Sequence, residues 1–172
     1  MRDLSSNLSM ADAMKSIGGY ALAIDLTARN LQEKVKTAGL PWTAVKGFDT
    51  FLPISDFIAP SLIPDPENLV LQLQINGEIR QRAMTNQMIF KIPRLLSHIS
   101  SIMTLNEGDV VLTGTPAGVG PIKNGDKMRA SLWDASGEGA GGNERDGQME
   151  SGVLSEIEVD VKDREGGYVF KA

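Results

Sequence analysis

The clearest hydrophobic pattern in the chain is "LVLQLQINGEIRQRAM". Leu69, Leu71, Leu73 and Ile75 alternate with Val70, Gln72 and Gln74, the period of a strand with one buried face. Asn76-Gly77 then predicts a type I′ turn into a return strand, because both central positions of that turn need positive φ. In "IPRLLSHISSIMTL" the period becomes helical, with Pro93 in the first turn and Leu95, Leu96, Ile99, Ile102 and Met103 on one stripe. "EGDVVLTGTPAGVGPIKNGDKMRASLW" predicts a strand, a Gly/Pro loop and a second strand, each strand introduced by a Gly-Asp turn. "VLSEIEVDVKD" alternates again and predicts a closing strand.

Nearer the start, Gly19–Leu26 of "GYALAIDLTARNLQEK" predicts an apolar strand that carries an acid, Asp25, close to its end. "TARNLQEKVKTAG" predicts a short helix with Leu31 and Val35 on one face, Thr27 as cap and Gly39 as stop. Residues 40–68 hold five of the eight prolines and predict an ordered loop. Residues 134–152 are poor in apolar side chains and rich in glycine and charge, and predict a mobile hairpin loop. No internal repeat is visible. The pattern is that of a β-rich α+β domain with two short helices.

At 172 residues and 18.5 kDa the chain suits one domain with a real core. A net charge of -5 argues against a nucleic-acid surface, which needs a concentrated basic face. No apolar run approaches the roughly 20 residues that span a bilayer. Absence of cysteine excludes disulfides and thiolate metal sites and fits an intracellular, soluble protein. A single histidine, His98, leaves no room for a His-rich zinc site, so any metal should be hard and held by carboxylates, such as Mg²⁺ or Mn²⁺. The first 19 residues carry two bases and two acids, a poor transit peptide and no signal peptide.

Several residues could carry chemistry, each with a plainer reading beside it. Asp25 is either a helix N-cap or the holder of a cation, since a charge beside a buried strand needs a partner. Arg29 could pair with Asp25 or Glu33. Lys46 is either a solvated lysine or the charge in a partly apolar pocket of Trp42, Val45 and Phe48. "LTGTPAGVG" brings glycines 114, 118 and 120 and the hydroxyls of Thr113 and Thr115 together. Pro116, Pro121 and a following strand exclude a Walker loop. That leaves a loop for a small acid's carboxylate or a structural turn. His98 lies beside the apolar stripe of its helix and receives no catalytic role.

"GYALAIDLTARNLQ", "GLPWTAVKGFDTFLPIS", "LQLQINGEIRQ", "TNQMIFKIPRLLSHIS" and "LNEGDVVLTGTPAGVGPIKNGD" follow in one order, and together they resemble the fumarylacetoacetate hydrolase family. The match is to its single-domain acylpyruvase and oxaloacetate decarboxylase type, over about Gly18–Leu132 with Val153–Val161 as last strand. The resemblance implies a mixed β roll, a homodimer when complete, and Mg²⁺ or Mn²⁺ held by three carboxylates, of which Asp25 matches one. It implies substrate contacts for Arg29, Gln32 and Thr115 and a catalytic lysine in Lys46. The implied reaction is metal-dependent hydrolysis of the C–C bond of acylpyruvates, or decarboxylation of oxaloacetate, through a pyruvate enolate that the metal and Lys46 stabilise. The partner would be a small keto acid, with neither nucleic acid nor membrane, in mitochondria or cytoplasm.

The family's Glu-x-Glu ligand pair and its water-activating His and Glu lie upstream of the segment that Asp25 matches. Before Tyr20 this chain has only the acids Asp3 and Asp12. Residues 1–172 are therefore expected to form one incomplete domain, with the N-terminal part of the fold missing. The alternative is a catalytically inactive short product that acts as a binding or dimerisation partner.

Overall fold

The computed structural model describes residues 8–135 and 152–163; most of the predicted loop 134–152 lies outside them. In chain order the elements are α1 (Met10–Ala13), α2 (Arg29–Ala38), α3 (Thr43–Lys46), β1 (Leu69–Ile75), β2 (Glu78–Met84), α4 (Ile92–Ser100), β3 (Lys127–Asp134) and β4 (Val153–Asp160). The strands form one antiparallel sheet in the order β2-β1-β3-β4. The predicted hairpin is present, with positive φ at both Asn76 and Gly77.

One sheet face is apolar. Leu71 lies opposite Leu132, Leu73 opposite Ala130, Ile75 opposite Met128, and Ala130 in turn opposite Ile157. Leu22, Ile24, Ile58 and Ile63 pack on this face. The other face is largely polar: Arg82 reaches the buried Gln72 (Nη1 to Oε1, 2.8 Å) and its guanidinium lies over Trp133. A second cluster joins Ala13 to Ile92, Leu96 and Leu105, and a third joins Leu31 and Val35 to the fully buried Val45.

Three predicted elements differ. Gly19–Leu26 is extended and hydrogen-bonds residues 51–58, with the isolated bridges Tyr20–Ile58 and Ala23–Ile54 and a further bond from Leu26 N–H to Phe51 O (2.9 Å), but it forms no continuous strand. Ile24 N–H donates to Pro53 O (2.9 Å), and proline has no N–H to donate back, so no regular ladder forms. α4 stops at Ser100, leaving Ile102 and Met103 exposed beyond its end. Ser100 Oγ donates to Ser97 O (2.9 Å) and Ser101 Oγ to His98 O (2.7 Å), competing with further helical turns. Val110–Leu112 forms no strand among the described residues, although both predicted Gly-Asp turns are present. In each the aspartate accepts a backbone N–H three residues back, Asn106 N to Asp109 Oδ2 and Lys123 N to Asp126 Oδ2, both at 2.7 Å.

Candidate active site

α2 and α3 place the first charged residues. Ala28 N–H donates to Val45 O (2.9 Å), and Val45 packs against Leu31 and Val35. Lys46, the last residue of α3, is thereby fixed beside the end of the extended segment, where its ammonium donates to Asp25 Oδ2. The two side chains are 35% and 37% exposed, so their mutual attraction is largely screened by water.

The capping alternative for Asp25 is thereby corrected. Ala28 occupies the N-cap of α2 and makes no side-chain cap, so neither Asp25 nor Thr27 caps this helix. Gly39 does end it, at φ 63. Arg29 opens α2, and its guanidinium donates to Gln32 Oε1 one turn later (2.8 Å); it pairs with the amide rather than with Asp25 or Glu33. His98 is exposed and does not line the concavity on which these residues lie.

Thr115 is held by a residue that the sequence did not single out. Gln81, only 9% exposed, donates from Nε2 to Thr115 Oγ1 (2.9 Å) and to Pro116 O (2.6 Å). Gly118 lies so close to β2 that an added Cβ would be 1.9 Å from Arg80 O. Asp25, Arg29, Gln32, Lys46, Arg80, Gln81 and Thr115 all fall along one long, open concavity of about 1880 Å³ that many other residues also line, so sharing it does not by itself bring the Asp25–Lys46 pair into contact with Thr115. Tyr20 also lines it, and burial raises its phenol above the ordinary value of 10.0, so it stays a neutral donor. The named residues bring to it three cationic side chains, one carboxylate, two hydroxyls and two amides; the cations, hydroxyls and amides can serve a small anion with carbonyl oxygens, against the charge of Asp25.

The metal expectation meets a limit in the donor set. Asp25 is one carboxylate and faces an ammonium, and among the described residues no three acidic or histidine side chains cluster as an ion's ligands would. A hard divalent ion takes six or more oxygens, several of them from protein in a stable site. The described residues do not by themselves fit Mg²⁺ or Mn²⁺.

Comparison with known proteins agrees with the motifs. The model of the fumarylacetoacetate (FAA) hydrolase C-terminal family matches residues 2–153. The chain is 58% identical over 120 residues to the mitochondrial oxaloacetate tautomerase FAHD1 of Arabidopsis thaliana, covering 70% of this chain and 54% of that protein. It is 51% identical over 122 residues to the human protein of the same name, covering 71% and 55%. The chain spans about half the length of the curated relatives it matches. Among solved structures, the yeast fumarylacetoacetate hydrolase family protein ynq8 aligns with TM-score 0.82 and 35% identity, covering 99% of this chain and 67% of that one. Fumarylpyruvate hydrolase from Pseudomonas aeruginosa, in complex with Mn²⁺ and pyruvate, aligns with TM-score 0.72 and 34% identity, covering 74% and 55%.

Proposed function

The chain belongs to the fumarylacetoacetate hydrolase family, and from that premise we propose that the complete protein interconverts the keto and enol forms of oxaloacetate. The observation that carries this reading is the Lys46 ammonium on the Asp25 carboxylate, in the concavity that Arg29, Gln32 and Thr115 share. The relatives named oxaloacetate tautomerase support the choice of substrate.

In the forward direction a C3 proton leaves, its electron pair forms the C2=C3 bond, and the C2 oxygen gains charge before it takes a proton. Lys46 stabilises that oxyanion as a cation held in place by Asp25. Arg29 holds the C1 carboxylate, while Gln32 and Thr115 hold its remaining oxygens and the keto oxygen. Of the described residues Asp25 would be the one carboxylate ligand to Mg²⁺ or Mn²⁺, with the other ligands and the proton acceptor supplied from outside them; such an ion would supply Lewis-acid charge. The Mn²⁺ and pyruvate of the Pseudomonas aeruginosa hydrolase support this cofactor.

The same hydrolase favours a second reading, in which water adds to the distal carbonyl of an acylpyruvate. The C–C bond then breaks and pyruvate enolate leaves; decarboxylation of oxaloacetate reaches the same enolate. A homodimer in mitochondria completes the proposal, the compartment supported by the relatives' names.

Ultraviolet loss of the enol absorbance of oxaloacetate and of acetylpyruvate, with added Mg²⁺ or Mn²⁺, tests these readings. The complete protein should act faster on oxaloacetate enol; faster loss of acetylpyruvate favours hydrolysis. Lys46→Met should lower kcat roughly a hundredfold with metal affinity kept. Asp25→Asn should be partly rescued by more Mg²⁺. Equal, metal-rescuable losses in both variants would remove Lys46 from the enolate. These 172 residues alone should turn over neither substrate above background; chelator-sensitive turnover would show that they hold the ion after all.

A further inference from the structure

Gln81 reaches the site through an irregularity in β2. From the Asn76-Gly77 turn the pairs run Ile75–Glu78 and Gln74–Ile79, and the next is Leu73–Gln81. Arg80 is therefore the extra residue of a β-bulge. In a regular ladder Leu73 would face Arg80, and Gln81 would sit opposite Gln72 on the polar face. The bulge moves Gln81 to the apolar face beside Leu73, and Arg80 and Gln81, adjacent in sequence, both line the concavity. It also leaves Arg80 O where Gly118, at φ 102, lies against it.

We infer that Gln81 is a positioning residue that fixes the Thr115 hydroxyl as a hydrogen-bond donor toward the bound 2-oxo acid, an inference that rests on the reading of Thr115 as a substrate contact. A carbonyl oxygen can only accept, so Pro116 O sets which end of the Gln81 amide is NH₂. The second hydrogen of that NH₂ is directed to Thr115 Oγ1, which must accept it. The hydroxyl has one proton, and it makes no donated bond among the described residues. The proton is left for an anionic oxygen in the concavity, and a free rotor becomes a directed donor.

Two measurements test this without catalysis, on this chain. By NMR both Gln81 side-chain amide protons should exchange slowly with solvent, and Thr115→Val should speed the exchange of one of them. Gln81→Met, of similar length but without the donor, should speed backbone amide exchange over 113–118 roughly three- to tenfold, the loss of one or two hydrogen bonds. Free Gln81 amide protons in the parent chain, or unchanged exchange in Gln81→Met, would overturn the proposal. A third arm uses the complete protein and pyruvate as probe. Gln81→Glu, which can only accept from the hydroxyl when ionised, should weaken pyruvate binding, and should add little once Thr115→Val is present. Additive losses would also overturn it. If exchange responds as expected but Thr115→Val leaves pyruvate affinity unchanged, the hold on the loop stands. What fails then is Thr115 as a substrate contact.

Discussion

Two glycines in the 112–120 loop separate backbone strain from crowding. Gly114, at φ 117, has open space around it, whereas Gly118, at φ 102, is pressed on Arg80 O. Gly114→Ala should cost roughly 1–3 kcal/mol, from the backbone conformation alone. Gly118→Ala should cost more in urea unfolding and should also weaken pyruvate binding, since the added methyl must push the Thr115 loop off β2. Lys46 presents the opposite case at the same scale. Its exposed pair with Asp25 contributes at most about 1 kcal/mol, so Lys46→Met should scarcely move the urea midpoint. A large loss of stability in that variant would mean that its rate loss comes from unfolding.

At the scale of elements, the hairpin turn is tied to the turn before β3. Asn76 Nδ2 donates to Asp126 Oδ1 (2.8 Å), and Asn76 Oδ1 accepts Lys127 N–H (2.9 Å). The Asn76 hydrogen bond, followed by the Lys123 N–H, holds the Asp126 carboxyl below its ordinary value of 3.8. A carboxyl that is more acidic in the folded chain stabilises the fold above its unfolded pKa, and that part is lost as pH falls through the folded value. Asn76→Ala should therefore bring Asp126 back toward its ordinary titration in carboxyl ¹³C NMR. The stability gap between the two proteins should narrow under acid. An unchanged Asp126 titration would show that the Lys123 N–H alone suffices.

Across the whole molecule, several large apolar side chains among the described residues stand exposed. Ile89 is 92% exposed, and Phe57, Leu62, Ile102 and Val110 are each more than half exposed. Where such side chains adjoin, they form the kind of apolar patch that associates with another surface. This chain should self-associate in a concentration-dependent way in sedimentation velocity, and Ile89→Lys should reduce the effect. A monomer at every concentration tested would show that these side chains are too scattered to form an interface. No helix among the described residues is long and apolar enough to cross a membrane.

Periodicity and turn chemistry determined the hairpin, the closing strand, the cores of α2 and α4 and both Gly-Asp turns, because each depends on neighbours within a few residues. Motif order also determined the family, down to Asp25, Lys46 and Thr115 as positions to examine. Elements whose fate depends on a distant partner were decided by the tertiary structure. Gly19–Leu26 could not pair regularly against Pro53, and Val110–Leu112 joins no strand among the described residues. Gln81 is the sharpest instance. Strict alternation from the Asn76-Gly77 turn would assign it to the polar face, and nothing local announces the extra residue at Arg80. Only the packing of Gly118 and Thr115 across β2 reveals why the strand slips there, since a bulge is stabilised by what it reaches rather than by its own sequence.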